Sequence, residues 1–278
     1  MNIAVSGATG FIGRHVVAAL ERAGHKPTLW VRPSTPPSST RHRVARIDVE
    51  DPPHQPFDLL GRPDALIHLA WGGLPQYQSL HHFERELPAH YALLKRLVEE
   101  GLGTLVVAGT CFEYGMQSGP LAETMAAAPA NPYALAKDTL RRQLEALQRT
   151  RPFALTWARL FYLYGDGQAE TSLWSQLRRA VDAGETTFPM SGGEQLRDYL
   201  PVEQAADHLV ALAASQHGHG IVNVCSGTPV SVRSLVEGWL AANAWSIDLD
   251  LGRYPYPSHE PMAFWGDATK LKQCLEEA

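Results

Sequence analysis

The chain is poor in cysteine. Cys111, Cys225 and Cys274 are its three thiols among 278 residues, far apart and without metal-ligand spacing. That usage fits a reducing compartment. Basic clusters are also missing: net charge is -5 and the pI is near 6.2, with no stripe of lysine and arginine. A nucleic-acid partner is therefore not expected. No uncharged apolar run approaches the ~18 to 20 residues that a bilayer-crossing helix needs, so no membrane partner is expected either. No basic n-region or long apolar h-region precedes the first strand-like run, and the expectation is a cytoplasmic protein without a secretory signal. There is no G-x-S-x-G elbow and no setting for a cysteine nucleophile. Twelve histidines invite a metal reading. "HHFE" (81 to 84) and "HGHG" (217 to 220) nevertheless lack H-E-x-x-H geometry or a matching third ligand. They read as solvated loop histidines, and no metal is expected.

What the chain does have is an ordinary globular balance, 45% hydrophobic and 19% charged, over a length suited to one large domain or two interlocked ones. Strand-like and helix-like segments alternate through the first half. "NIAVS", "KPTLWV", "ALIHLAW", "TLVVAGT" and "FALTWARLF" read as strands. "FIGRHVVAALERAG", "ELPAHYALLKRLVEEG" and "NPYALAKDTLRRQLEAL" read as helices. Near-continuous apolar runs such as "ALIHLAW" suit strands covered on both faces. The order predicts an α/β fold with a parallel, doubly wound sheet. The second half is more mixed: "TSLWSQLRRAVDAG" and "VEQAADHLVALAAS" look helical, "GIVNVCS" is a further strand, and Ser231 opens a helix. The stretch 32 to 43 reads as a loop, and the tail "GRYPYPSHEPMAFW" as irregular.

Between the first strand and the first helix lies "GATGFIG", with Gly7, Gly10 and Gly13 at a spacing of three. Glycines let the backbone turn sharply and approach a pyrophosphate, and the helix N-terminus offers free N–H groups. After the second strand comes "LWVRPS", with Arg32 and no carboxylate. A guanidinium there suits a ribose 2′-phosphate, which favours NADP(H) over NAD(H), the other option. The alternative is a solvated arginine at a loop start. Asp48 either accepts a hydrogen bond from an adenine amino group or caps a turn.

"YALAK" places Tyr133 and Lys137 four apart on a predicted helix, so they share one face. An ammonium beside a phenol favours the phenolate and lowers its pKa from ~10. Such a tyrosine can give a proton to a carbonyl oxygen or take one from an alcohol. Thr110, at the end of "TLVVAGT", offers a hydroxyl to the same oxygen.

With these motifs the chain resembles the extended short-chain dehydrogenase/reductase family, the NAD(P)-dependent epimerase/dehydratase group that acts on nucleotide sugars. "GATGFIG", "LIHLAW", "GTCFEYG", "NPYALAK", "ARLFYLYGDGQ", "GGEQLRDYLPVEQAADHLVAL" and "NVCSGTPVSVRSLVE" occur in the family's order, from Met1 to about Leu275. The resemblance implies a Rossmann domain over 1 to 164 plus about 201 to 227. A smaller, discontinuous nucleotide-sugar domain would span about 165 to 200 and 228 to 278. It implies Thr110, Tyr133 and Lys137 as the catalytic set. It places the cofactor on Gly7, Thr9, Gly10, Phe11, Ile12, Gly13, Arg32, Asp48, Leu69 and Ala70, with Tyr133 and Lys137 at the nicotinamide end. A nucleotide-diphosphate sugar would meet Arg197 and Arg253. For Arg197 the alternative is a structural pair with Asp198 or Glu194. A homodimer would form through a bundle of the helices containing "ALLKRLVEE" and "YALAKDTLRRQL".

The chain departs from the family in places. Glu86, Pro88 and His90 stand where asparagine is usual before the catalytic strand. Trp71 and Tyr162 replace smaller or amide side chains near the expected sugar site, where each shapes the substrate pocket or simply packs. Glu113 lies where some dehydratases carry an acid/base residue, but its neighbour is Phe112 rather than a second carboxylate, which disfavours 4,6-dehydration. The expected reaction is reduction by NADPH of the C4 keto group of a nucleotide-activated 4-keto-6-deoxy sugar. The alternatives are an NAD-dependent nucleotide-sugar 4-epimerase and a non-catalytic NADP-binding redox sensor.

Overall fold

A computed structural model describes residues 1–36, 41–256 and 260–277. Parts of the stretch 32 to 43 and of the proline-rich tail thus lie outside the described residues. Seven strands form one sheet: β1 (Asn2–Ser6), β2 (Lys26–Val31), β3 (Arg43–Arg46), β4 (Ala65–His68), β5 (Thr104–Thr110), β6 (Ala154–Leu160) and β7 (Gly220–Val224). Their spatial order is β3-β2-β1-β4-β5-β6-β7, and every pairing is parallel. This is the doubly wound α/β sheet that the sequence predicts. Strands β4 and β5 are buried along their whole length, which explains their unbroken apolar runs.

Seven longer helices occur among the described residues: α1 (Phe11–Arg22), α2 (Leu87–Glu99), α3 (Pro132–Thr150), α4 (Leu173–Asp182), α5 (Val202–Ala214), α6 (Val232–Asn243) and α7 (Thr269–Glu276). On one face, Val16 and Leu20 of α1 and Leu209 and Leu212 of α5 pack on Ile3, Val5 and Ile67. On the other, Leu93, Leu94 and Leu97 of α2 and Leu140 and Leu144 of α3 cover Leu66, Leu105 and Val107. Chain order reverses between β1 and β4, so the loops leaving their C-terminal ends part and open a crevice.

A separate apolar cluster contains Leu177, Phe188, Met190, Val236, Trp239 and Ile247. The last helix does not join it: Leu271 and Cys274 of α7 pack into the sheet core, although they fall within 228 to 278. Helix α2 also begins differently from the sequence reading. A π-helical turn, His82–Glu86, runs straight into it, and Pro88 sits in its first turn, where a missing N–H costs nothing. At α6 the expected opening residue is in place, Ser231 capping the helix by accepting the Ser234 amide at 3.0 Å.

Candidate active site

The glycine turn lies at the C-terminal end of β1, beside the crevice. Gly7 has φ of +66°, a conformation that suits glycine, and a Cβ there would meet the Ala70 amide nitrogen at 3.2 Å. A Cβ on Gly13 would overlap the Gly7 carbonyl oxygen and lie 2.8 Å from Ala8 Cα, so α1 can approach the turn only with glycine there. Gly10 caps α1 without any side-chain hydrogen bond. The first amides of the helix, from Phe11 and Ile12 onward, are left to a ligand. Thr9 is exposed on the turn, and Leu69 and Ala70 face it, their amides donating to Ser6 Oγ at 3.0 and 3.1 Å.

Thr110 and Tyr133 border one cavity, and Lys137 lies one helical turn beyond Tyr133. Helix α3 starts on Asn131, which accepts the Ala134 amide at 2.8 Å, and its buried face carries Tyr133 and Lys137 one turn apart. Thr110 ends β5 and caps a 3₁₀ turn over Cys111–Tyr114. Its Oγ1 accepts the Phe112 amide at 3.2 Å, while its own amide donates to Glu113 at 2.9 Å. Glu113 is fully buried and also takes the Arg159 Nε–H at 2.7 Å and the Trp157 indole N–H at 2.9 Å. Its carboxylate is therefore engaged in anchoring the end of β5. A cavity of about 240 Å³ opens beside Thr110 and Tyr133, bordered by Phe11, Tyr77, Phe112 and Tyr162.

The electrostatics correct one expectation. Burial pushes the Tyr133 phenol well above its ordinary pKa, and hydrogen bonding to Thr110 only partly offsets this. The phenol is a neutral acid, not a phenolate. Burial also brings Lys137 down to about 8, opposed by the carboxylates of Glu113 and Glu86. Its Nζ lies 4.2 Å from the centroid of the Trp71 ring.

The remaining predicted residues are more scattered. Trp71 packs edge-on to Tyr133 with centroids 6.2 Å apart and stacks on His90. Tyr162 contacts Phe112 and Tyr199, and its buried hydroxyl has no hydrogen-bond partner among the described residues. Arg197 is 3% exposed and pairs with neither Asp198 nor Glu194. Its Nη2 donates to Glu260 at 2.9 Å and its guanidinium lies over Phe264. Asp198 instead accepts amides of Ser226 and Gly227 at 2.7 and 2.9 Å, and Glu194 accepts the Tyr256 hydroxyl. A diphosphate reaching Arg197 would have to take donors from Glu260. Arg253 is exposed, and its backbone amide donates to the Met190 carbonyl at 2.9 Å. Arg32 is exposed just beyond β2, in a turn braced by Arg46 Nη1 on the Pro33 carbonyl. Asp48 caps a turn by accepting the Glu50 amide at 3.0 Å.

Sequence reasoning missed a polar cluster beneath the crevice. His82 is buried rather than solvated, and so are His68 and His90, with Glu86 beside them. The legible signals were a histidine inside the apolar run "ALIHLAW" and the i, i+4 pair Glu86 and His90. Tyr77 was missed too, and only its place on a long loop could have pointed to it.

Residues 3–225 match the family model described as the NAD dependent epimerase/dehydratase family. The chain belongs to this family. It is 31% identical over 271 residues, 96% of this chain and 99% of the other, to a dTDP-6-deoxy-L-talose 4-dehydrogenase (NAD(+)) of Aggregatibacter actinomycetemcomitans. It is 27% identical to a GDP-6-deoxy-D-mannose reductase of Pseudomonas aeruginosa, covering 90% of this chain and 82% of that one. In fold it is similar to a UDP-N-acetylglucosamine 4-epimerase of Methanobrevibacter ruminantium, with a TM-score of 0.86 and 23% identity over 98% of this chain and 91% of that one. Membership makes this epimerase/dehydratase-family chain an NAD(P)-dependent oxidoreductase of the short-chain dehydrogenase/reductase type. The residues present fit a dinucleotide: Gly7 and Gly13 let the turn close on Ala70 and let α1 approach it, and the uncapped start of α1 leaves free amides for a pyrophosphate. No helix among the described residues is long and apolar enough to cross a membrane.

Proposed function

We propose that the chain reduces the C4 keto group of a nucleotide-activated 4-keto-6-deoxy sugar. One observation supports the reading: the Tyr133 phenol, buried and so neutral, and Thr110 line one aromatic-walled cavity that also borders Phe11 and Ile12 at the start of α1. A neutral phenol is the form that donates a proton, as a ketone gaining electrons requires. The Thr110 oxygen accepts the Phe112 amide, which leaves its O–H to donate to the substrate oxygen. Tyr133 then gives its proton to that oxygen as the alcohol forms. Rings of Tyr77, Phe112 and Tyr162 suit the apolar C6 methyl face of a 6-deoxy sugar and exclude water. The names of the talose dehydrogenase and mannose reductase, both of 6-deoxy sugars, support the substrate class.

Gly7, Gly10, Gly13 and the start of α1 would hold the dinucleotide pyrophosphate, with Thr9, Leu69 and Ala70 beside it and Lys137 at the nicotinamide ribose. When bound, the reduced nicotinamide would supply a hydride, the hydrogen and two electrons that C4 gains. Arg32 supports NADP(H), since a guanidinium suits a 2′-phosphate. The NAD(+) in the talose enzyme's name supports NAD(H). A thermal-shift titration decides between them, and stabilisation by NAD+ alone would remove the NADP(H) assignment.

The activity is tested by mixing the protein with NADPH or NADH and a panel of nucleotide-linked 4-keto-6-deoxy sugars. Loss of nicotinamide absorbance with one of them is the expected result. Interconversion of two sugars with no net absorbance change would instead assign a 4-epimerase.

A further inference from the structure

Ser6 Oγ accepts two amides, from Leu69 and Ala70, so both its lone pairs are taken. Its hydroxyl proton is left for Nδ1 of His68, 2.9 Å away. His68 thus carries its own proton on Nε2, which lies 2.8 Å from Nδ1 of His90. His90 in turn donates from Nε2 to Glu86 Oε2 at 3.0 Å, and that oxygen also accepts the Gly72 amide at 2.7 Å. The donor order is fixed from Ser6 to Glu86, and both imidazoles are neutral Nε2–H tautomers. The two ends of this chain grip the two ends of the segment Leu69 to Gly72. Between them Trp71 stacks on His90, centroids 4.7 Å apart and 17° from parallel, and donates its indole N–H to His82 Nδ1 at 3.1 Å. His82 is then Nε2–H as well, donating to the Gln76 carbonyl at 3.0 Å.

We propose that Ser6, His68, His90 and Glu86 are positioning residues that hold Trp71 as the seat of the Lys137 ammonium. The proposal rests on the cofactor-facing role of Lys137 given above, and it assigns Trp71 to that lysine rather than to the sugar. The negative face of an indole attracts an ammonium, more strongly where water is excluded, and Lys137 is 2% exposed. The groups facing Lys137 are the rings of Trp71 and Trp157, the carboxylates of Glu86 and Glu113, and the imidazoles of His68, His82 and His90. His90 itself faces Glu86, His68, Trp71 and Lys137, and His68 faces Ser6, His90, the Trp30 ring and Lys137. A cation on either of those two imidazoles would repel the ammonium. The donor order excludes one, because each Nδ1 is an acceptor.

Nitrogen-15 NMR of the labelled full chain reads the chain directly. Neutral Nε2–H signatures are expected at His68 and His90 from about pH 8 to about pH 5.5, and an Nδ1–H tautomer or an imidazolium at either would overturn the donor order. The seat is read from the Lys137 titration, followed by carbon-13 NMR of its ε carbon, and from the dissociation constants of NADP+ and NAD+. Trp71→Leu is expected to lower the Lys137 titration by about one pH unit and to weaken the tighter dinucleotide about tenfold. Trp71→Phe, which keeps a ring, should hold both within about threefold. His90→Leu should reproduce the lysine shift of Trp71→Leu. Equal losses in the Phe and Leu variants, or an unmoved Lys137 in Trp71→Leu or His90→Leu, overturn the proposal. A wild-type protein that binds neither dinucleotide would sink the cofactor reading alone, because the lysine titration still decides the seat.

Discussion

Burial raises the Glu86 carboxyl, but the hydrogen bonds from His90 and the Gly72 amide outweigh it and bring the group down to about 2. A depressed carboxyl stabilises the fold above its ordinary value and loses that contribution as pH falls toward about 2; from 4.5 the total is about 3 kcal/mol. Burial holds His68 and His90 below their ordinary value, so the unfolded chain takes up protons that the folded one refuses. Stability should therefore fall below about pH 6.5, by about 1.4 kcal/mol per pH unit for each imidazole that stays neutral. Urea melts at several pH values would show it, and Glu86→Gln should flatten the portion below about pH 4.5. Lys137 follows the same sign as the two histidines: its folded value is lowered to about 8, so the buried ammonium costs stability in full below about 8 and less as pH rises toward 10.5, and Lys137→Met should raise the melting temperature at pH 7 while weakening the dinucleotide. Tyr133→Phe should leave the melt unchanged and cut turnover about 10² to 10⁴-fold. A variant keeping most of its turnover would refute the proposed acid.

Elements β1 and α1 are one rigid unit at the cofactor turn. Alanine normally favours a helix over glycine by about 1 kcal/mol. Gly13→Ala should do the opposite here, because its Cβ would overlap the Gly7 carbonyl oxygen and the turn would have to move. Expected are a loss of about 2 kcal/mol or more in a melt and weaker dinucleotide binding. Such a turn is legible in a sequence because strand, glycine spacing and helix are all local. Strands β1, β2 and β5 carry their boundaries in their apolar runs for the same reason. The site was legible only where its parts are near in sequence, as with Tyr133 and Lys137 on one turn of α3. Pairings such as Ser6 with His68, or Arg197 with Glu260, span about sixty residues and depend on strand register and a returning tail. Burial reversed the expected shift of Tyr133, and burial is a property of the packed sheet, not of a four-residue motif.

Across the whole molecule, the cluster around Phe188, Val236 and Trp239 is a second apolar core beside the sheet. We propose it as the centre of the nucleotide-sugar domain, with α7 belonging to the sheet. A dinucleotide that binds only the folded state adds about 2.7 kcal/mol at a hundred times its dissociation constant. For a chain of this length that is a rise of several degrees in melting temperature. We also propose a homodimer through α2 and α3, where Leu135 is 44% exposed, and light scattering that reports a monomer would remove it. The polar chain under Trp71 bears on how this protein can drift over generations. Each of its four members satisfies the next, so a substitution scan made one position at a time should score all four as intolerant. Tolerated changes should come only in matched sets, and lineages of this enzyme should gain or lose the histidines together.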